Sequence, residues 1–203
     1  MEITLHTVIL ATTVIVSLNA MNNASLKDRM MYVPYLCKRD HQYYRILSHL
    51  LIHADFTHLL FNMMSFYYLG KGLEFQFIER FGMLQGELYF LALYLLGGLF
   101  ATLIPYSRNQ DNPGYRSLGA SGAVSAVIFA FVLWNPNVQL LVMFIPMKAW
   151  VFGFVYLAYE FYADKKGNTG IAHDAHIGGA IFGIIFILLI DIERSKHILH
   201  LDF

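Results

Sequence analysis

The scarcest thing in this sequence is charge. Only 14% of its 203 residues are Asp, Glu, Lys or Arg, against roughly a quarter in an ordinary soluble domain. Hydrophobic residues make up 57% and the mean hydropathy is +0.51, so lipid is the expected main solvent. There is no surplus of either sign. Fourteen basic residues balance fourteen acidic ones, and the lack of a basic face argues against a nucleic-acid partner. Cysteine is nearly absent. Cys37 stands alone, which excludes an internal disulfide and any dependence of the fold on an oxidising compartment. It reads as an unreactive loop thiol. Nothing basic precedes the first apolar run, and only a weak cleavage site, Leu18-Asn19-Ala20, follows it. That run reads as a retained signal anchor. Internal repeats and a separate soluble domain are also missing, so 1–203 reads as one membrane-embedded domain.

What is present is a series of apolar runs near the ~20 residues that a bilayer-crossing helix needs. Six are expected: about 3–21, 54–73, 88–104 (closed by Pro105), 117 to just before Asn135-Pro136-Asn137, a short fifth over 149–162, and 172–190. The fold class is therefore all-α, a polytopic bundle of six transmembrane helices. A large loop over 22–50 is expected on the extracytoplasmic side. Arg108 to Arg116 form a polar loop, Val138 to Trp150 an interfacial connection, and 191–203 a polar tail.

Polar residues at membrane depth are expensive and point to function. Here they cluster at three helix starts: His58 and Asn62 on the second, Ser121 on the fourth, His173, Asp174 and His176 on the sixth. In an up-down chain these three helices run the same way, so their first turns share one membrane face. Small residues let them approach. Gly119, Ala120, Gly122 and Ala123 thin the fourth helix, and Gly179 and Gly183 give the sixth the small-xxx-small spacing of close backbone contact. Ser121 and His176 then come within reach as nucleophile and base. His58 and Asn62, at i and i+4, share a face and both donate hydrogen bonds, as an oxyanion site requires. Taken singly, each has a plainer reading, since serine often bonds its own helix and a lone His or Asn glues helices together. Asp174, two residues before His176, points elsewhere and suits a helix start.

At these residues the chain resembles the rhomboid family of intramembrane serine proteases. Gly119-Ala120-Ser121-Gly122 is similar to the family's nucleophile motif. Ala175-His176-Ile177-Gly178-Gly179, with Gly183, is similar to its histidine helix. His58-Leu59-Leu60-Phe61-Asn62 resembles its second-helix motif, and Tyr44-Arg45, His49 and His53 resemble the segment upstream of it. The resemblance implies a Ser121–His176 dyad. It also implies oxyanion donors from His58, Asn62 and backbone near Gly119 and Ser121, with His53 in support. It implies a hollow open to the extracytoplasmic side, transmembrane protein substrates in a lipid setting, and no metal or organic cofactor. The fifth helix and the loop over the site would move to admit substrate, and a bacterial inner membrane is the expected location. Ser125 stands where many relatives carry an aromatic residue under the histidine ring.

The family's orientation conflicts with the charge count. It leaves five Lys/Arg (Lys71, Arg80, Lys148, Arg194, Lys196) on the cytoplasmic side and the other nine opposite, against the positive-inside rule. Three rivals remain. A metalloenzyme could use His49-xxx-His53 or His173-xx-His176, but no His-Glu-xx-His occurs. A transporter would more often show paired repeats. An inactive rhomboid relative that binds membrane clients would not need Ser121 and His176.

Overall fold

Apolar runs with few charges fold as helices, because a helix closes its backbone hydrogen bonds within itself. The computed structural model describes residues 4–142, 144–167 and 169–194. Its helices are α1 (Leu5–Met21), α2 (Ala24–Met30), α3 (Pro34–Asp40), α4 (Arg45–Ser48), α5 (Phe56–Ser65), α6 (Lys71–Phe81), α7 (Met83–Ala101), α8 (Leu103–Asn109) and α9 (Ser121–Trp134). After a hairpin of β1 (Gln139–Val142) and β2 (Ile145–Lys148) come α10 (Ala149–Lys166) and α11 (His173–Ile190). Met83–Asn109 and His173–Ile190 are long and apolar enough to cross a membrane. Leu5–Met21 and Ser121–Trp134 are apolar but shorter.

No charged side chain occurs in α9, and from Gly122 to Val132 every residue is buried. It is the axis of the bundle, packed by α7 and α11 on two sides and by α5, α6 and α10 elsewhere. Close approach rests on glycine. A Cβ on Gly179 would stand 2.0 Å from the Gly122 carbonyl oxygen, and one on Gly183 would stand 2.1 Å from that of Ala126. The outer faces stay apolar. Leu84, Phe154 and Leu189 are each at least 68% exposed, a surface that suits lipid and not water.

The loop over 22–50 is itself folded. Arg45, 5% exposed, donates from Nη1 to the carbonyls of Asp28 and Met31, both at 2.8 Å. Tyr32 and Ser117 exchange backbone bonds of 2.9 and 3.0 Å, which ties the loop to the approach of α9. Cys37 is buried here, and burial pushes its thiol up.

Several expected boundaries move. The second helix does not stop at Leu73. A π-helical turn over Phe66–Gly70 joins α5 to α6, which runs on to Phe81. Glu74, just past the expected end, is buried and its Oε1 accepts the His6 N–H at 2.8 Å, at the start of α1. Nor does Pro105 close the third helix. The chain breaks at Thr102 and resumes as α8, with Pro105 in the first turn, where a missing N–H costs little. The polar loop therefore begins after Asn109. Helix α10 reaches Lys166, beyond the expected Tyr162. The interfacial connection is a β-hairpin, so the fold is predominantly helical and not purely so. Of the 191–203 tail, residues 195–203 lie outside the described residues.

Candidate active site

Ser121 opens α9, and Gly119 shapes the turn that delivers it. Its φ is +121°, a region that side chains disfavour, and a Cβ there would lie 2.7 Å from Cε1 of His58. The Gly119 N–H donates to the His49 carbonyl at 3.0 Å. The Ala120 N–H donates to Nε2 of His53 at 3.3 Å. His53 is fully buried; its Nδ1–H donates to Ser17 Oγ at 2.9 Å, and Ser17 in turn donates to the Leu51 carbonyl at 2.9 Å. Burial first, and then the neighbouring His58, push His53 down to about 3, so the ring is neutral, as this run of single-proton bonds requires. Burial likewise pushes His49 down to about 4, and its Nδ1–H donates to the Arg45 carbonyl at 2.9 Å. The two histidines upstream of α5 are thus struts that hold the turn before Ser121.

His176 lies in the first turn of α11. Its Nε2 is 2.7 Å from Ser121 Oγ, a contact between residues 55 apart that the Gly122–Gly179 approach makes possible. Its other nitrogen, Nδ1, is 3.1 Å from Oε1 of Glu160 on α10. The second carboxylate oxygen, Oε2, is 2.6 Å from Nδ1 of His173. Glu160 is 4% exposed. Ser125 is buried and its hydroxyl lies 2.9 Å from that of Tyr156 on α10. His176 is held by Glu160 and by the edge of the His173 ring, 6.0 Å away.

His58 sits beside the turn. Asp55 caps its helix by accepting the His58 N–H at 2.8 Å. The ring's Nδ1 accepts the Ala54 N–H at 3.4 Å, which leaves Nε2 as the protonated nitrogen, next to Gly119. Asn62 is buried and one of its amide hydrogens goes to the His58 carbonyl at 3.0 Å. The other has no acceptor among the described residues and is the donor that the oxyanion expectation requires. Asp174 turns away, as expected. Its Oδ2 meets Arg108 Nη1 at 3.3 Å, and Arg108 also pairs with Asp164 at 2.8 and 3.2 Å, clamping α8 to α10 and α11.

The structure therefore brings Ser121 and His176 into contact and sets His58 beside Gly119. One expectation needs correction. Gly119 was expected to supply an oxyanion N–H, but that N–H is committed to His49. The Ser121 N–H, first in its helix and without an intrahelical acceptor, is the backbone group left for the role. Glu160 was missed. The available signal was a single acid in an otherwise apolar run, which at membrane depth is itself a functional indication.

Glu160, His173 and His176 place ligand atoms within 4.8 Å of one another. At 2.6 Å the Glu160–His173 contact is a hydrogen bond, closer than two ligands of one tetrahedral ion at about 2.0–2.1 Å each would stand. His49 and His53, the other candidate pair, are engaged in separate bonds. Chemically, the site offers a hydroxyl beside an imidazole, with N–H donors facing the same space, as acyl transfer needs.

Residues 40–191 match the family model described as the rhomboid domain. Among curated proteins, the chain is 29% identical over 149 residues to RHOMBOID-like protein 12, mitochondrial, of Arabidopsis thaliana, covering 66% of this chain and 42% of that one. It is 30% identical over 148 residues to the presenilin-associated rhomboid-like protein, mitochondrial, of Bos taurus, covering 70% and 38%. It is 28% identical over 158 residues to the rhomboid protease GlpG of Haemophilus influenzae, covering 77% and 74%. The aligned part thus spans about two fifths of the first two relatives. The expected bacterial inner membrane finds no support in these names, two of which are mitochondrial.

Proposed function

This chain belongs to the rhomboid family, a family of membrane proteins, and from that premise we propose that it is an intramembrane serine endopeptidase with Ser121 as nucleophile and His176 as general base. The observation that carries the reading is the 2.7 Å contact between Ser121 Oγ and His176 Nε2, made by residues from the first turns of two different helices. As Ser121 Oγ bonds to the scissile carbonyl carbon, its proton passes to His176 Nε2. The carbonyl oxygen gains negative charge and meets donors from His58 Nε2, the Asn62 amide and the Ser121 N–H. His176 then gives the proton to the leaving amine as the C–N bond breaks. Water repeats the sequence on the acyl-enzyme and frees Ser121.

The proposed topology has six membrane crossings, α1, α5 with α6, α7 with α8, α9, α10 and α11, of which Met83–Asn109 and His173–Ile190 are long and apolar enough by themselves. Helix α9 has 14 residues, roughly 21 Å at 1.5 Å per residue, short of a hydrocarbon core about 30 Å thick. A nucleophile at its N-terminus is therefore recessed below the extracytoplasmic face. The non-helical backbone before it is tolerated there because His49, His53 and Tyr32 satisfy it. The substrates are transmembrane proteins, presented from the lipid. The test is incubation of purified protein with a transmembrane substrate, beside labelling by a serine-reactive fluorophosphonate. Wild type cleaves and labels; a folded Ser121→Ala variant does neither. Turnover by that variant, or its absence from folded wild type, rejects the proposal in favour of a non-proteolytic role.

A further inference from the structure

We propose that Glu160 is a positioning residue for His176, so that the proposed reaction runs through a Ser121–His176–Glu160 line and not through an isolated pair. The inference rests on the protease reading above and extends it. An imidazole can serve Ser121 only if Nε2 is unprotonated and aimed at Oγ. A free ring chooses between two tautomers and turns about its side-chain bonds. In this fold both choices are made by one carboxylate. Glu160 Oε1 accepts from His176 Nδ1 at 3.1 Å, which puts the ring proton on Nδ1 and leaves Nε2 bare, 2.7 Å from Ser121 Oγ.

The carboxylate is itself fixed. Its second oxygen accepts from His173 Nδ1 at 2.6 Å, and its side chain is 5% exposed while that of His173 is 3% exposed. One turn earlier on α10, Tyr156 is anchored to Ser125 of α9. The carboxyl group of α10 is thus gripped by two rings of α11, on a helix that is tied to α9 one turn away. The arrangement also replaces the ring that Ser125 cannot supply: orientation comes from a directional bond instead of from an aromatic floor. When Ser121 Oγ attacks, its proton moves to Nε2 and the ring becomes a cation. Glu160 remains ionised and faces that charge through the Nδ1–H, while the proton goes on to the leaving amine. In a site of low dielectric, a partner for transient charge matters most in the transition state and little for substrate binding.

The experiment is a kinetic comparison of the full-length wild type with Glu160→Gln, together with nitrogen-15 NMR of the histidine rings in the detergent-solubilised wild type. The expected result is a kcat about a hundredfold lower or more in Glu160→Gln, with KM for the transmembrane substrate within twofold and fluorophosphonate labelling slowed in parallel. The wild-type spectrum should show the His176 proton on Nδ1 at low field, in a resonance absent from His176→Ala. A folded Glu160→Gln variant with wild-type kcat and labelling overturns the role of Glu160 while leaving the protease intact. A proton found on Nε2 of His176 in the wild type overturns it without recourse to any variant. A wild type that neither cleaves nor labels overturns the protease reading and this one together.

Discussion

His58 and Asn62 are where single side chains decide between chemistry and scaffolding. Asn62 spends one amide hydrogen on its own helix, and His58 presents Nε2–H beside Gly119. If they meet the developing oxyanion, Asn62→Ala lowers kcat by roughly a hundredfold or more, the loss expected for one good donor, with KM little changed. His58→Ala is at least as damaging. The check is turnover of a transmembrane substrate beside the melting temperature of each variant. A collapse of stability with normal specific activity in the folded fraction would make both residues glue. The four polar residues were legible in the sequence because each sits in the first two turns of its helix, and alternate helices share direction. Glu160 was not legible as a partner. Nothing in the order of residues says which face of α10 turns toward α11. The commitment of the Gly119 N–H was equally hidden, because its acceptor is the His49 carbonyl, 70 residues earlier.

Helices α9 and α11 meet backbone to backbone, and that contact carries the site. Gly179→Ala drives a methyl group to 2.0 Å from the Gly122 carbonyl oxygen, and a helix backbone cannot step aside as a flexible side chain can. The expected result is a loss of about 1–3 kcal/mol or more, read as a fall in melting temperature, with activity falling alongside because Ser121 and His176 are pushed apart. Gly72→Ala is the control: its Cβ would meet Phe131 Cε2 at an ordinary 3.4 Å, and both measurements should stay near wild type. The small-residue spacing that announces this contact is visible in the sequence, and so is the extent of α11, whereas α9 starts at Ser121 and not near the expected Ser117. Other element boundaries were not, for physical reasons. The second helix runs past the expected Leu73 because Glu74, a carboxylate that accepts a helix-start N–H, can be buried inside the bundle. Pro105 looked like a stop, but it serves as a start. Strands of four residues around Pro146 are too short to show a period of two against an apolar background.

Across the whole molecule, charges act as fasteners. Arg80 on α6 and Asp191 just past α11 pair at 2.6 and 3.1 Å. The Arg80 hydrogen bond holds the Asp191 carboxyl below the usual carboxylate range. A depressed acid stabilises the fold above its ordinary value, about 3.9, and the contribution disappears as pH falls through that value and below. Arg80 is half exposed, so the effect is modest. Melting temperature in detergent is expected to fall as the solution is acidified below about pH 4, and Asp191→Asn should lower the neutral value and flatten that part of the curve. The charge count that opposed the family's orientation also includes fastened residues. Lys38 and Arg116 are paired with Asp111 and Asp28, and Arg108 with Asp164 and Asp174, so they are parts of a folded face and not loose cations flanking a helix. The same Arg108 pairs give α10 a further property. If that helix swings outward to admit a substrate, it must let go of Arg108, of Ser125 and of His176 in one movement. The molecule then behaves like a press with a guard rail. Under the proposed mechanism, while the side door is open the base has lost its bearing and Ser121 is idle, and only when the door shuts does the proton path run straight again. Stray water reaching the open site would therefore find a serine with no one to take its proton.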